Sequence, residues 1–171
     1  MHVTFVKGTR GRKGFVEIED ARIIWPNFSG EAGKFNREGD REFTLVIPNM
    51  EIADSLVNDK NEFGVGWNVK ISDPRDPDDD PFIKLRVKVK FTKNGGPDVF
   101  LITNGKMTRL DEESIACLDH VEIAYVDLSI RPYDDEINGK PFRSAYLKSL
   151  YVTQNVDRFA ARYAEEECPE D

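Results

Sequence analysis

The sequence predicts an all-β fold, a small antiparallel β-barrel that carries one or two short helices and ends in an acidic tail. Alternating apolar and polar residues, the pattern of half-buried strands, recur along the chain between loops rich in Gly, Pro, Asn and Asp. One short helical pattern interrupts the strands, and no regular alternation of strands and helices indicates a parallel sheet. Five or more antiparallel strands with one inserted helix favour a closed barrel.

Each predicted element has a local signal. Strands are predicted at GFVEIEDARIIW, with a bulge near Asp20, and at REFTLVIP, GWNVKI, FIKLRVKVKF, VFLIT, KMTRL, HVEIAYVDLSIRPY and PFRSAYLKSLYVTQN. The pair Trp25-Pro26 is expected to end the first strand, because proline cannot continue a ladder. Asn49 is the predicted N-cap of a short amphipathic helix. The Asn-Gly pairs at 104–105 and 138–139 predict tight hairpin turns.

The distribution of charge divides the chain into three regions. The net charge is −8, but five acidic residues near the C-terminus leave the preceding part nearly balanced; they are Glu165, Glu166, Glu167, Glu170 and Asp171. We expect a basic, flexible N-terminal arm over residues 1–13 and one domain over residues 14–155. Residues 156–171 are expected to form a short helix and a disordered acidic tail.

The sequence shows no signal for export or for a membrane span. Residues 1–14 are basic without an apolar run, and no stretch approaches about 18 apolar residues. The two cysteines, Cys117 and Cys168, do not predict a disulfide, so a cytoplasmic location is expected. Two histidines and no paired cysteines predict no zinc site, and no cofactor or catalytic motif is found.

The strongest functional signal is the segment IKLRVKVKF. Alternate side chains of a strand face opposite sides, so the apolar residues at 83, 85, 87, 89 and 91 are expected to face the core. The opposite face then presents four cations, Lys84, Arg86, Lys88 and Lys90. Like charges in a row repel each other unless anions lie nearby, and a phosphate backbone supplies such anions. A merely solvated outer face explains a single row equally well.

Aromatic and basic residues are mixed in the loop that follows the first strand. The candidates for ligand binding in this region are Trp25, Phe28, Lys34, Phe35 and Arg37. Exposed rings of this kind stack on unpaired bases, at about 1–3 kcal/mol per base. The alternative for each ring is a place in the core.

The last two predicted strands carry further rings beside basic residues. Arg143 and Tyr146 are the candidates taken from this region, and Tyr133, Arg131 and Lys148 lie near them in the sequence. The register of these strands is open, so the sequence leaves undecided which rings face solvent.

The order of these segments resembles the OB-fold single-stranded DNA-binding proteins of tailed bacteriophages. The pattern comprises ARIIWPNF, FTLVIPN, a short helix, GWNVKI, PFIKLRVKVKF, SIRPYDDEINGKPFRSAYLKSLYV and an acidic C-terminus, and it covers residues 14–152 plus the tail. The resemblance implies a barrel groove that binds single-stranded DNA without sequence preference in phage replication and recombination. It also implies a tail that modulates binding and recruits replication proteins such as a polymerase or a helicase-primase. A homo-oligomer is compatible with the sequence.

Two other classes of function stay open at this point. The aspartates at 76, 78, 79 and 80 would serve a metal-dependent nuclease or resolvase, although their loop lacks the glycine and glutamate spacing of a calcium site. A β-barrel protein-interaction module, for example a virion component, is the other alternative. The cationic row favours the hypothesis of a non-catalytic protein that binds single-stranded DNA and holds no metal.

Overall fold

Strands make up most of residues 1–93 and 96–156, the part of the chain that the computed structural model describes. The strands are β1 His2–Val6, β2 Phe15–Glu19, β3 Arg22–Asn27, β4 Arg41–Ile47, β5 Lys70–Ser72, β6 Phe82–Val89, β7 Asp98–Thr103, β8 Lys106–Leu110, β9 Ile123–Ile137 and β10 Lys140–Gln154. The helix α1 spans Met50–Val57, and a 3₁₀ helix spans Ile115–His120. The predicted all-β class with one or two short helices is confirmed.

The barrel closes because one bent strand pairs at both ends of the sheet. The sheet runs in the order β1–β2–β9–β10–β6–β4–β3, and only Asp20 and Ala21 separate β2 from β3. Asp20 has a φ of 53°, which turns the strand at this point. The backbone N–H of Ala21 donates to the carbonyl of Val126 on β9 at 2.8 Å. The bulge predicted near Asp20 is therefore the corner of the barrel.

Five strand directions form the resulting ring, as in an OB-fold: the bent strand β2–β3, then β4, β6, β10 and β9. Most pairings between the described strands are antiparallel. Strand β10, however, runs parallel to β6 at Ala145 and Tyr146, and parallel to β7 between Ser149 and Thr153. The parallel contact between β6 and β10 closes the ring on the side away from the bend.

Short-range signals predicted the helix and both hairpin turns correctly. The Oδ1 atom of Asn49 accepts a hydrogen bond from the backbone N–H of Ile52 at 2.9 Å, which caps α1. Asn104 and Asn138 have φ values of 50° and 53°, and the glycine after each also has a positive φ. This pair of left-handed residues is the geometry that two-residue hairpins require.

Three elements differ from the sequence prediction. Residues 2–6, expected in a flexible arm, form β1 and pair with β2 along its length. The first strand does not stop at Pro26 but reaches Asn27, through a register shift that places the proline in a bulge, where its missing N–H is not needed. The strand predicted at GWNVKI is limited to Lys70–Ser72.

Phe28 belongs to the core, so the prediction that it stacks on bases is wrong. Its side chain is fully buried, and its ring centroid lies 5.6 Å from that of Phe43. The carboxylate of Asp119 holds the chain here, because it accepts hydrogen bonds from the backbone N–H groups of Phe28 and Ser29 at 2.8 and 2.9 Å. The Phe28 ring therefore packs into the barrel core at the start of the loop between β3 and β4.

No helix within the described residues is long and apolar enough to cross a membrane.

The two phenylalanines of this loop should differ sharply in their contribution to stability. Phe28→Ala should lower the free energy of unfolding by about 3–5 kcal/mol, because it leaves a cavity in the core. Phe35→Ala should change it by less than about 0.5 kcal/mol, since the Phe35 side chain is 86% exposed. Equilibrium urea denaturation of both variants measures the difference, and similar losses for the two would contradict this placement of the rings.

Candidate nucleic-acid interface

Strand β6 presents cations on the outer face of the barrel, as its alternation predicted. Arg86 and Lys88 are exposed, and Lys84 is half-buried. Lys90, one residue beyond the end of the strand, is also exposed. The residues between these cations point inward and are buried: Ile83, Leu85, Val87 and Val89.

The loop between β3 and β4 holds the exposed ring of Phe35 in a fixed position. Asn36 organises the loop, because its side-chain NH₂ group donates to three carbonyl oxygens at 2.8–3.0 Å, those of Glu31, Arg37 and Asp40. The ammonium group of Lys34 lies 5.5 Å from the centre of the Phe35 ring. A ring that a hydrogen-bonded loop holds in water loses little conformational freedom when a base stacks on it.

This loop and the outer face of the sheet enclose a cleft of about 520 Å³, here called the barrel cleft. It brings together six of the predicted residues, Phe35, Arg37, Arg86, Lys88, Lys90 and Tyr146. Lys34 lies beside it, next to Phe35. Three acidic residues also line the cleft, Asp40, Glu42 and Glu112, so its positive charge is partly offset.

Arg86 already has an anionic partner within the cleft. Its guanidinium donates to both carboxylate oxygens of Glu42, at 2.5 and 2.7 Å. The hydrogen bond to Glu42, more than the accompanying Coulomb attraction, raises the pKa of Arg86, so the side chain stays charged. A phosphate that approaches Arg86 must therefore compete with the carboxylate of Glu42.

Trp25 and Lys84 lie further along the outer face and do not line the barrel cleft. The Trp25 side chain is 62% exposed at the bulge of β3, and the ammonium of Lys84 lies 5.3 Å from its ring centre. Lys84 precedes Lys88 by four residues of extended strand, or about 13 Å. We therefore expect Trp25 and Lys84 to form a stacking position separate from the barrel cleft. Trp67, by contrast, is buried, and its Nε1–H donates to Asp59 at 2.8 Å.

Arg143 is not available for phosphate binding, so its predicted role is wrong. Its guanidinium donates to both carboxylate oxygens of Asp134, at 2.7 and 3.0 Å, and to the carbonyl of Asp59 at 2.8 Å. Partial burial alone would raise the pKa of Asp134, but the hydrogen bonds from Arg143 and Asn61 outweigh it and lower that pKa. Arg143 is nearly buried and ties the hairpin β9–β10 to the loop after α1.

The register of β9 and β10, which the sequence left open, places Tyr146 in a stacked pair. The rings of Tyr146 and Tyr133 lie 5.0 Å apart at 13°. Arg131 stands opposite Tyr146 on β9, and its guanidinium lies 5.3 Å from the Tyr146 ring. The Tyr133 hydroxyl donates to Asp135, which raises the pKa of Tyr133.

A second basic cleft, of about 600 Å³, was not predicted from the sequence. It is lined by residues between positions 6 and 14 and by residues of β2, β9 and β10, among them Lys7, Arg12, Lys13, Phe15, Arg131 and Lys148. The outward alternation of β9 could have indicated Arg131. The proximity of residues 7–13 to β10 could not have been found, because it depends on the pairing of β1 with β2.

An OB-type barrel with exposed rings and cations on its outer face is typical of proteins that bind nucleic acids. The sequence model of the phage ssDNA-binding domain matches residues 7–170. The chain therefore belongs to the phage ssDNA-binding domain family. No curated protein matches it significantly.

Solved structures of the single-stranded DNA-binding protein from bacteriophage Enc34 have a similar fold. One shares 18% identity at a TM-score of 0.53, over 91% of this chain and 93% of that chain. The complex of the Enc34 protein with ssDNA matches at 18% identity and a TM-score of 0.52, over 85% and 89%. A C-terminal truncation matches at 19% and 0.51, over 84% and 87%.

The predicted tail residues lie outside the described part of the chain; they are Glu165, Glu166, Glu167, Glu170 and Asp171.

Removing the carboxylate that competes for Arg86 should strengthen DNA binding. Glu42→Gln should tighten the binding of oligo-thymidine about twofold to fivefold, which corresponds to the ~0.5–1 kcal/mol of an exposed ion pair. The measurement is fluorescence anisotropy at low salt. Glu62→Gln removes the same charge from an exposed loop residue that does not line the cleft and serves as control. Equal effects of both variants would show that only the net charge matters.

Proposed function

We propose that this chain is a non-catalytic protein that binds single-stranded DNA without sequence preference and protects it during phage DNA replication or recombination. Membership of the phage ssDNA-binding domain family supports single-stranded DNA as the ligand. The observation that carries the proposal is the barrel cleft, where the exposed ring of Phe35 and the cations Lys88 and Lys90 line one groove.

The chemistry of the barrel cleft favours unpaired bases over a duplex. Ammonium and guanidinium groups on a strand face attract phosphates of any sequence. An exposed ring such as that of Phe35 can stack only on a base whose face is free, and every unpaired base has such a face. Backbone attraction combined with stacking therefore predicts a preference for single strands and little discrimination between sequences.

The nuclease alternative has weak support in the acidic loop. The aspartates at 76, 78, 79 and 80 are exposed, and within the described ranges no three His, Cys, Asp or Glu side chains are grouped to hold a metal ion. Incubation of labelled oligo-thymidine with the protein and Mg²⁺ or Mn²⁺ tests this alternative directly. We expect the strand to remain intact.

The acidic tail is proposed to regulate binding by competing with DNA. Its five carboxylates form a polyanion on a chain whose outer face carries basic clefts, so it can compete with DNA for the same cations. When DNA displaces the tail, the tail becomes free to recruit replication proteins. For this role we propose a location in the host cytoplasm.

Phe35 is the residue whose removal should test the proposed function most directly. Phe35→Ala should weaken the binding of oligo-thymidine about fivefold to 150-fold, the equivalent of 1–3 kcal/mol for one stacked base. Fluorescence titration of wild type and variant, with single-stranded and duplex DNA at two salt concentrations, gives both affinity and specificity. Four phosphate contacts would give the wild type a log–log salt slope of about −3.

Tyr125→Ala is the matched control for this titration. Tyr125 is 64% exposed on β9, but it lies near the acidic residues Glu122 and Asp127 and lines neither cleft. Its loss should leave affinity unchanged. Wild-type protein that ignores oligo-thymidine at low salt, or that binds a duplex equally well, would refute the proposed function.

Deletion of residues 164–171 should tighten binding if the tail competes with DNA. The gain should be at least threefold at about 50 mM salt and should shrink at 200 mM, because added salt screens the attraction between tail and cleft. Titration of the shortened chain beside the full chain measures it. Equal affinities at both salt concentrations would leave the tail without a competitive role.

A further inference from the structure

We infer that the second basic cleft is a subsite for the sugar-phosphate backbone, which extends the path of single-stranded DNA from the barrel onto the N-terminal hairpin. The N-terminal hairpin is the segment of residues 7–14, between β1 and β2. This inference rests on the proposed function and adds to it a second stretch of the binding path.

Hydrogen bonds and close backbone packing hold the N-terminal hairpin in one conformation. Thr9 and Arg12 exchange two backbone hydrogen bonds, at 2.9 and 3.0 Å. At its neck the two strands approach so closely that only glycine fits. A Cβ atom on Gly14 would lie 2.7 Å from the carbonyl of Val6, and one on Gly8 would lie 2.9 Å from the carbonyl of Arg12. The side chains of the hairpin are therefore presented from a fixed backbone.

The charge of the second cleft is of one sign. Its lining residues within the described part of the chain include no Asp or Glu and five cations, Lys7, Arg12, Lys13, Arg131 and Lys148. The barrel cleft, by comparison, has three acidic lining residues. Five cations around one open cleft repel each other, and a polyanion is the ligand that relieves this repulsion.

A bulge in β10 directs Lys148 into this cleft. The register passes from Leu147, opposite Ile130, to Ser149, opposite Ser129, so Lys148 has no partner on β9. Bulges of this kind re-aim a side chain and recur beside binding sites. The ammonium of Lys148 lies 4.3 Å from the centre of the Phe15 ring. Because Lys148 covers that face of Phe15, the cleft presents cations and is suited to phosphates.

The two clefts are joined by one pair of residues. Tyr146 lines the barrel cleft, Arg131 lines the second cleft, and the guanidinium of Arg131 lies 5.3 Å from the Tyr146 ring. A strand whose base stacks near Tyr146 would meet Arg131 next. From there its backbone would pass between Lys148 and the N-terminal hairpin.

The test compares a double variant of the second cleft with a double variant that removes the same charge elsewhere. Arg12→Gln with Lys148→Gln removes two cations that line the cleft, both on exposed residues. Arg10→Gln with Lys106→Gln removes two exposed cations that line neither cleft, one of them in the same hairpin. Arg12→Lys with Lys148→Arg keeps the charge and should bind like wild type.

Affinity is measured for oligo-thymidines from about 4 to 16 nucleotides, the range of site sizes of one OB-fold. For the wild type, affinity should keep rising with length after the barrel cleft is filled. The cleft variant should match it on the shortest strands and lose at least fivefold on the longest. On the longest strands, the magnitude of the log–log salt slope of the cleft variant should fall by about 1.4, which corresponds to the loss of two phosphate contacts.

Each outcome distinguishes the inference from the proposed function. Equal affinities of the cleft variant and the control variant at all lengths would overturn the subsite and leave binding in the barrel cleft intact. Failure of the wild type to bind any oligo-thymidine would instead overturn the proposed function. Thermal melts of the variants should match the wild type, since the substituted side chains are exposed.

Discussion

The bend at Asp20 and Ala21 is the constraint on which the rest of the molecule depends. Two hydrogen bonds fix it to β9, one from Ala21 to the carbonyl of Val126 and one from the backbone N–H of Asp20 to the carboxylate of Asp127 at 2.9 Å. Because β2 pairs with β9 and β3 pairs with β4, this corner joins the two ends of the sheet. A closed sheet has one inner and one outer face, so the inward-facing side chains of every strand pack into the same core.

Closure also explains how distant segments come to share a binding face. The cations of β6, the rings of β10 and β9, and Phe15 of β2 are far apart in sequence, yet their strands are consecutive neighbours around the barrel. Parallel pairing sets Lys88 beside Tyr146, and antiparallel pairing sets Tyr146 opposite Arg131. The order of strands therefore determines the order in which a bound strand of DNA would meet each group.

The sequence was informative where a local pattern decides the structure. The alternation of IKLRVKVKF fixed which residues of β6 face outward, and the Asn-Gly pairs identified both turns. Phe28 and Phe35 could not be separated in this way, because burial of Phe28 depends on Asp119, more than 90 residues away. Arg143 differs, because the two-residue turn at Asn138 and Gly139 sets Asp134 directly opposite it. Only its hydrogen bond to the carbonyl of Asp59, in the loop after α1, depends on the tertiary fold.

Location, more than total charge, decides whether an acidic chain can bind a polyanion. The net charge of −8 would repel DNA at long range, but salt screens exposed charges beyond a Debye length of about 8–10 Å. Within that distance the second cleft offers five cations and the barrel cleft offers cations opposed by Glu42 and its neighbours. Glu42 holds the guanidinium of Arg86 in place, and we expect it to lower DNA affinity because a phosphate must compete with its carboxylate. If both clefts bind DNA as proposed, a partly neutralised barrel cleft beside a uniformly basic one predicts that affinity rises once a single strand is long enough to reach both.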